Sequence, residues 1–198
     1  MKLSNLFSEG FLEEQDIADK TISGVSIDSR TTEKDSLFVA INGENFDSHD
    51  YVNEAIKRGA AAVVASKNIV VPVPVIYVDD TQIELQKMAK FYRSSWKLPV
   101  LAVTGSCGKT TTKNILGSIL SSKQKTLVTE GNFNNLFGLP LTMFKLIKDH
   151  VYSVFEVGAS YQGEIKALAD ILQPNIAVIT NAGPSHLENM GGSVAAVS

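Results

Sequence analysis

The stretch that most constrains this chain is Val100-Leu101-Ala102-Val103-Thr104-Gly105-Ser106-Cys107-Gly108-Lys109-Thr110-Thr111-Thr112. Its apolar opening reads as a buried strand and its Gly-x-x-Gly as a tight turn. The apolar spacing of Ile115, Leu116, Ile119 and Leu120 reads as a helix that follows. Strand, glycine turn and helix together make a phosphate cradle, with backbone N–H groups turned inward and the helix N-terminus adding partial positive charge. Lys109 is placed to reach outer phosphates, and Thr110 to put a hydroxyl on Mg²⁺. The common G-x-x-x-x-G-K-[ST] loop would need glycine where Val103 stands, so the pattern here is the shorter T-G-x-x-G-K-T-T. A glycine turn that binds nothing is the competing reading.

Around this centre the chain alternates. Strands are expected at Thr21–Ile27, Leu37–Ile41, Ala61–Ala65 and Val75–Val78, with a helix near Tyr51–Arg58 that Gly59 ends. Asp79-Asp80-Thr81 can cap a longer helix carrying Ile83, Leu85, Met88, Ala89, Tyr92 and Trp96, ahead of Pro99. Beyond the cradle helix come a strand at Thr126–Thr129, a helix near Leu139–Ile147 and a strand at Val151–Val157. A helix at Glu164–Leu172 and a strand at Ile176–Thr180 follow. This predicts an α/β fold: a small α/β N-terminal domain, then an incomplete P-loop-type, mostly parallel central sheet domain. The expected divisions are residues 1–80, a connecting helix over 81–98, and 99–198. The last residues look like the opening of another helix, so a truncated product is expected.

Bulk properties remove several function classes. A net charge of -3 leaves no basic footprint for nucleic acid. A single cysteine, Cys107, rules out an internal disulfide and fits a reducing cytoplasm. The N-terminus lacks a signal-peptide core, and the run from Ile69 to Val78, broken by Pro72 and Pro74, is too short for a membrane span. A soluble cytoplasmic protein is expected.

Ligands of parallel sheets sit beyond the carboxyl ends of strands. Three polar clusters fall at such ends: Gly105–Thr111, Glu156-Val157-Gly158 and Asn181–His186. Glu156 suits Mg²⁺, which takes few carboxylates plus phosphate oxygens and water, or else it is a turn carboxylate. His186 is either a structural histidine or a group at metal or phosphate. His49 reads as a solvated loop residue, and His150 likewise. Asn132, Asn134 and Asn135 are turn formers or substrate-facing amides. Asp28, Ser29 and Arg30 form either a turn with a local ion pair or a handle for a nucleotide head group.

Taken together, these stretches resemble the Mur ligases of peptidoglycan synthesis. The likeness covers nearly the whole chain. It rests on Ser29-Arg30, Leu37–Asp50, Gly59-Ala60, Thr104–Thr112, Gly131-Asn132-Phe133-Asn134-Asn135 with Gly138-Leu139-Pro140, and Glu156–Ala159 with Gly163-Glu164-Ile165. Asn181 and His186-Leu187-Glu188 complete it. The cradle alone would equally fit the folylpolyglutamate synthetases of the wider family. The first-unit pattern and Gly-Asn-x-Asn-Asn point to the branch that joins D-alanyl-D-alanine to UDP-N-acetylmuramoyl-tripeptide.

The resemblance implies ATP-dependent amide ligation through an acyl phosphate, with ATP and Mg²⁺ as cofactors and those two molecules as partners. It implies a UDP-sugar-binding first domain and an ATP-binding central one. Gly105, Ser106, Cys107, Gly108, Lys109, Thr110 and Thr111 would hold ATP. Lys109, Glu156 and His186 would be catalytic, with Thr110, Glu156 and His186 at the metal. Ser29, Arg30, Asp47, His49, Asn134 and Asn135 would bind substrate. The family often has Asn, Ser or Thr where Cys107 stands. Its members run to more than twice this length, so residues 1–198 alone are expected to be inactive. A nucleotide-binding or regulatory module without ligase activity is the alternative function.

Overall fold

The structure, a computed structural model, describes residues 1–8, 11, 12, 17, 20–43 and 46–184. It divides into two compact units, Met1–Ser95 and Trp96–Ser198.

The first unit holds a four-stranded sheet: β1 (Val25–Ser26), β2 (Leu37–Val39), β3 (Ala62–Ala65) and β4 (Val75–Tyr77), in the order β1-β2-β3-β4. All three pairings are parallel, with Phe38 beside Val63 and Val64 beside Ile76. β2 and β3 are buried along their whole lengths, as a parallel sheet covered on both faces requires. Helix α1 (Val52–Arg58) packs Val52 and Ala55 against Phe38, Ala40, Val63 and Ala65. It ends where Gly59 takes the left-handed conformation. α2 (Thr81–Ser94) starts from Asp80, whose carboxylate accepts from the N–H groups of Gln82 and Ile83. It buries Leu85, Met88, Ala89 and Tyr92, and belongs to the first compact unit. The strand expected over Thr21–Ile27 is only two residues long. Asp28 turns the chain immediately afterwards by accepting from the Arg30 N–H.

The second unit places β5 (Val100–Thr104), β6 (Thr126–Val128), β7 (Tyr152–Glu156) and β8 (Ile176–Ile179) in the order β6-β7-β5-β8, again all parallel. Between them lie α3 (Lys109–Ser121), α4 (Gly138–Met143) and α5 (Glu164–Leu172). Val100, Val103, Leu139, Met143, Val154, Phe155, Leu168 and Leu172 are buried. β8 is an outer strand of the described sheet and leaves Ile176 and Ile179 exposed.

Two helices differ from the sequence expectation. α4 stops at Met143 because the chain tightens there, with Lys145 and Leu146 bonding back three residues to Thr142 and Met143. α3 does not bury its isoleucines: Ile115 and Ile119 are exposed, whereas Lys113 and Gly117 are buried. The cause is close approach. A Cβ on Gly117 would meet Val128 Cγ2 at 2.8 Å, so the helix lies nearer the sheet than a larger residue would allow.

Candidate active site

Parallel pairing brings every strand end of a sheet to one edge. In the second unit that edge carries the 105–108 turn after β5, Thr129 after β6, Glu156 at the end of β7 and Thr180–Gly183 after β8.

The turn itself is held from β8. Asn181 accepts from the Ser106 N–H through its carbonyl (3.1 Å) and from the Cys107 N–H through Oδ1 (2.9 Å). Thr180 Oγ1 donates to the Cys107 carbonyl at 2.5 Å, and the Ser106 hydroxyl exchanges bonds with the Gly183 backbone at 2.9 Å. Gly105 and Gly108 have φ of 134° and 81°, values L side chains rarely adopt. A Cβ on Gly105 would also come within 2.9 Å of the Asn181 carbonyl. The loop N–H groups of Ser106 and Cys107 are therefore engaged. The first intrahelical bond of α3 runs from Thr112 to Gly108. That leaves the opening N–H groups of the helix, Lys109, Thr110 and Thr111, without helical partners and open to an anion. Lys109 Nζ folds back onto the carbonyls of Gly105 (2.6 Å) and Ser106 (3.3 Å), lying across the turn. Cys107 and Thr110 are exposed.

Glu156 is buried beside this turn, since β7 pairs with β5 and Val103 lies opposite it. Its N–H donates to Thr129 Oγ1 at 3.1 Å, and Oε1 accepts from Asn134 Nδ2 at 2.8 Å. Oε2 has no hydrogen-bond partner. Lys113 Nζ lies 3.5 Å from it, and both side chains are 3% exposed. Lys113 is the site residue that sequence reasoning missed. The available signal was its position one helical turn after Lys109 and one before Gly117.

The asparagines divide their roles. Asn134 orients Glu156, and its own position depends on Gly158, where a Cβ would meet its Cγ and Nδ2 at 3.0 Å. Asn135 Oδ1 accepts from the N–H groups of Phe137 and Gly138, opening α4. His186 lies outside the described residues. Among the described residues no cluster of three or more His, Cys, Asp or Glu side chains could hold a metal.

The candidate residues of the first unit are bound to one another. Ser29 is buried and donates to Glu54 at 3.1 Å. Arg30, 80% exposed, makes a two-pronged pair with Asp28 at 2.9 and 2.7 Å. That pairing holds the Asp28 carboxyl below the usual range. His49 is no solvated loop residue. It is buried, its Nδ1 lies 2.6 Å from Asp47, and its Nε2 accepts from the Ser66 N–H at 3.0 Å. A backbone N–H can only donate, so Nε2 carries no proton and the Nδ1 proton goes to Asp47. Burial opposes ionisation of Asp47. The hydrogen bonds from Lys67 and from the backbone and ring of His49 outweigh it and hold its carboxyl at about 2. Beside this network Ser66, Lys67, Asn68, Tyr77, Val78 and Asp79 line an open hollow of about 360 Å³ beyond β3 and β4.

Each unit matches one family model: Mur ligase family, catalytic domain, over residues 21–94, and Mur ligase middle domain over residues 103–197. The chain belongs to the Mur ligase family. Among its relatives is the UDP-N-acetylmuramoyl-tripeptide--D-alanyl-D-alanine ligase of Haemophilus influenzae, 39% identical over 198 residues, covering 96% of this chain and 43% of that protein. The Bacillus subtilis ligase of the same name is 42% identical over 173 residues, covering 86% and 38%. A crystal structure of MurF from Acinetobacter baumannii superposes with a TM-score of 0.86 at 38% identity, covering 93% of this chain and 41% of that one. A structure of MurF from Thermotoga maritima in complex with ADP gives 0.79 at 35%, covering 88% and 40%. This Mur ligase chain thus spans about two fifths of the length of these relatives. No helix among its described residues is long and apolar enough to cross a membrane.

Proposed function

We propose that this chain is the phosphate-holding and sugar-nucleotide-holding part of an ATP-dependent ligase that joins D-alanyl-D-alanine to UDP-N-acetylmuramoyl-tripeptide in the cytoplasm. The observation that carries the reading is the juxtaposition of the open α3 N-terminus with a buried carboxylate whose Oε2 accepts no hydrogen bond. A built acidic atom beside an anion cradle suits a site for phosphate and a divalent cation together. The names of the relatives supply the substrates, and the ADP complex of the Thermotoga maritima protein supports ATP as the phosphoryl donor.

In this reading the N–H groups of Lys109, Thr110 and Thr111 receive phosphate oxygens, with Gly105, Ser106, Cys107 and Gly108 shaping the turn that carries them. Lys109 leaves the Gly105 and Ser106 carbonyls and offsets charge on the phosphoryl group in transfer, the main task in such chemistry. The tripeptide carboxylate takes the γ-phosphoryl group and ADP leaves. The amine of D-alanyl-D-alanine then attacks the acyl carbon, a C–N bond forms, the C–O bond to phosphate breaks, and the amine gives up a proton.

Residues for Mg²⁺ fit its chemistry: Glu156 offers one unbonded oxygen, Thr110 a hydroxyl, and few protein ligands are needed. When bound, Mg²⁺ neutralises phosphate charge and orients the transferring group. His186 is assigned to the metal by family resemblance. Asn134 holds Glu156, and Asn135 keeps its amide N–H₂ for substrate. Ser29, Arg30, Asp47 and His49 belong to the UDP-sugar end, where His49 and Ser29 act from beneath the surface and Arg30 and Lys67 face outward. The partners are therefore small molecules, without nucleic acid and without membrane insertion.

The test is phosphate release from Mg-ATP by the full-length protein, dependent on both the UDP-linked tripeptide and D-alanyl-D-alanine. ATP binding without phosphate release that depends on both substrates would instead make the protein a nucleotide-binding module.

A further inference from the structure

The proposed chemistry leaves one buried charge beside Glu156 without a role, that of Lys113. Lysine is almost never fully buried unless paired, and its long stem normally carries the ammonium out to water. Lys113 does the opposite. α3 is drawn onto the sheet at Gly117, and Lys113, one turn earlier, is buried with its Nζ 3.5 Å from Glu156 Oε2. Among the described residues this is the one ion pair in which both side chains are buried to this degree. It is also an ion pair without a hydrogen bond, because Oε2 accepts none. Lys113 thus supplies charge to Glu156 while leaving that oxygen's bonding capacity unspent, and Asn134 keeps the other oxygen fixed.

We propose that Lys113 is a resident counter-charge that stands in for the divalent cation at Glu156, so that the site takes a metal ion only together with nucleotide phosphates. The proposal rests on the nucleotide reading of the cradle. With Lys113 present, the buried pair sums to zero, and a lone divalent cation would leave two positive charges uncompensated in a medium of low dielectric. Phosphates seated at the α3 N-terminus cancel that excess. Without Lys113, Glu156 alone is a buried anion, and a divalent cation becomes its natural partner. Lys113 is accordingly a positioning residue that sets the order of loading, acting through Glu156 and not on the reacting atoms.

The experiment measures Mn²⁺ binding by electron paramagnetic resonance in the full-length protein, with and without ADP, for wild type, Lys113→Met and Lys113→Arg. Wild type should bind Mn²⁺ weakly alone and at least about tenfold more tightly with ADP. Lys113→Met should bind Mn²⁺ without nucleotide at least about tenfold more tightly than wild type, while Lys113→Arg behaves as wild type. Mn²⁺ alone should also raise the Tm of Lys113→Met more than that of wild type. Should Lys113→Met fail to fold, Lys113→Gln carries the same expectation, and adding Glu156→Gln to it must abolish the nucleotide-free site. Equal nucleotide-free Mn²⁺ affinity in wild type and the neutral variant overturns the counter-charge role. Failure of ADP to promote Mn²⁺ binding in wild type overturns instead the nucleotide reading on which it rests.

Discussion

The two units carry polar residues at the same place, the carboxyl edge of a parallel sheet, yet they spend them differently. In the first unit the polar groups satisfy each other: Arg30 covers Asp28, Ser29 bonds Glu54, and Asp47, His49, Lys67 and the Ser66 backbone close a network. In the second unit the bonding is left incomplete at two adjoining points, the N-terminus of α3 and Glu156 Oε2. A buried polar atom without a partner costs free energy, so it persists where something else completes it. A saturated network stabilises by itself and needs no ligand. Polar residue types at strand ends are therefore weak guides to chemistry. What distinguishes the second edge is the bonding it withholds.

That contrast can be broken in four places. The largest effect belongs to Lys109→Ala in the full-length protein. It should lower ligation at least ~100-fold, roughly 2.7 kcal/mol of transition-state stabilisation, with stability nearly unchanged, since Lys109 bonds only two loop carbonyls. Steady-state rates near wild type would remove it from the mechanism.

Gly117→Ala is next. The added methyl would meet Val128 at 2.8 Å, at a cost of ~2–3 kcal/mol, the upper part of the overpacking range, that the gain of ~1 kcal/mol in helix propensity only partly offsets. Urea denaturation should show a net loss of ~1–2 kcal/mol. Because α3 carries Lys113 and Lys109, activity should fall as well. A variant as stable as wild type would show that the close approach of helix and sheet is not required.

Asp47→Asn probes the saturated edge. The folded-state carboxyl is held at about 2 against an ordinary 3.8. Its contribution is therefore fully present above pH ~4 and is lost as pH falls toward ~2. Near neutral pH the variant should be less stable by about 1 kcal/mol, solvent screening of the half-exposed Lys67 having reduced the full linkage value. Urea melts at pH 7 and pH ~2.5 should show that gap shrinking. A gap that is the same at both would mean the ionised carboxylate does not hold the network.

The smallest effect on stability is expected for Arg30→Ala. The pair with Asp28 is exposed and screened by water, so unfolding free energy should barely move. A role at the UDP-sugar end would appear as a raised KM for the UDP-linked tripeptide with the KM for ATP unchanged. Unchanged KM values for both would return Arg30 to the surface turn.

Much of the architecture was legible without coordinates. Asp80 caps α2 and Gly59 ends α1 because capping is local chemistry, read from a few neighbouring residues. The bounds of α5 follow from its apolar period. The T-G-x-x-G-K-T-T turn stands between strand and helix as its glycines demand. The alternation of strand and helix predicted an α/β fold with a mostly parallel central sheet; that sheet is parallel, and so is the sheet of the first unit.

Tertiary structure alone decided what the polar side chains do. The apolar spacing of Ile115 and Ile119 marked α3 as a helix, but packing against β6 and β7 leaves both exposed and buries Lys113, because Gly117 lets the helix settle on another face. Asn134 and Asn135 are adjacent and chemically identical, yet one holds Glu156 across 22 residues and the other opens α4. His49 became a buried brace only when β3 delivered the Ser66 N–H to its Nε2. The physical reason is one of range. Periodicity, caps and turns depend on a few consecutive residues, so the sequence determines them directly. Partners of buried polar atoms depend on which strands lie side by side, and the pairing of β5 with β7 across some fifty residues of chain is settled only when the sheet closes.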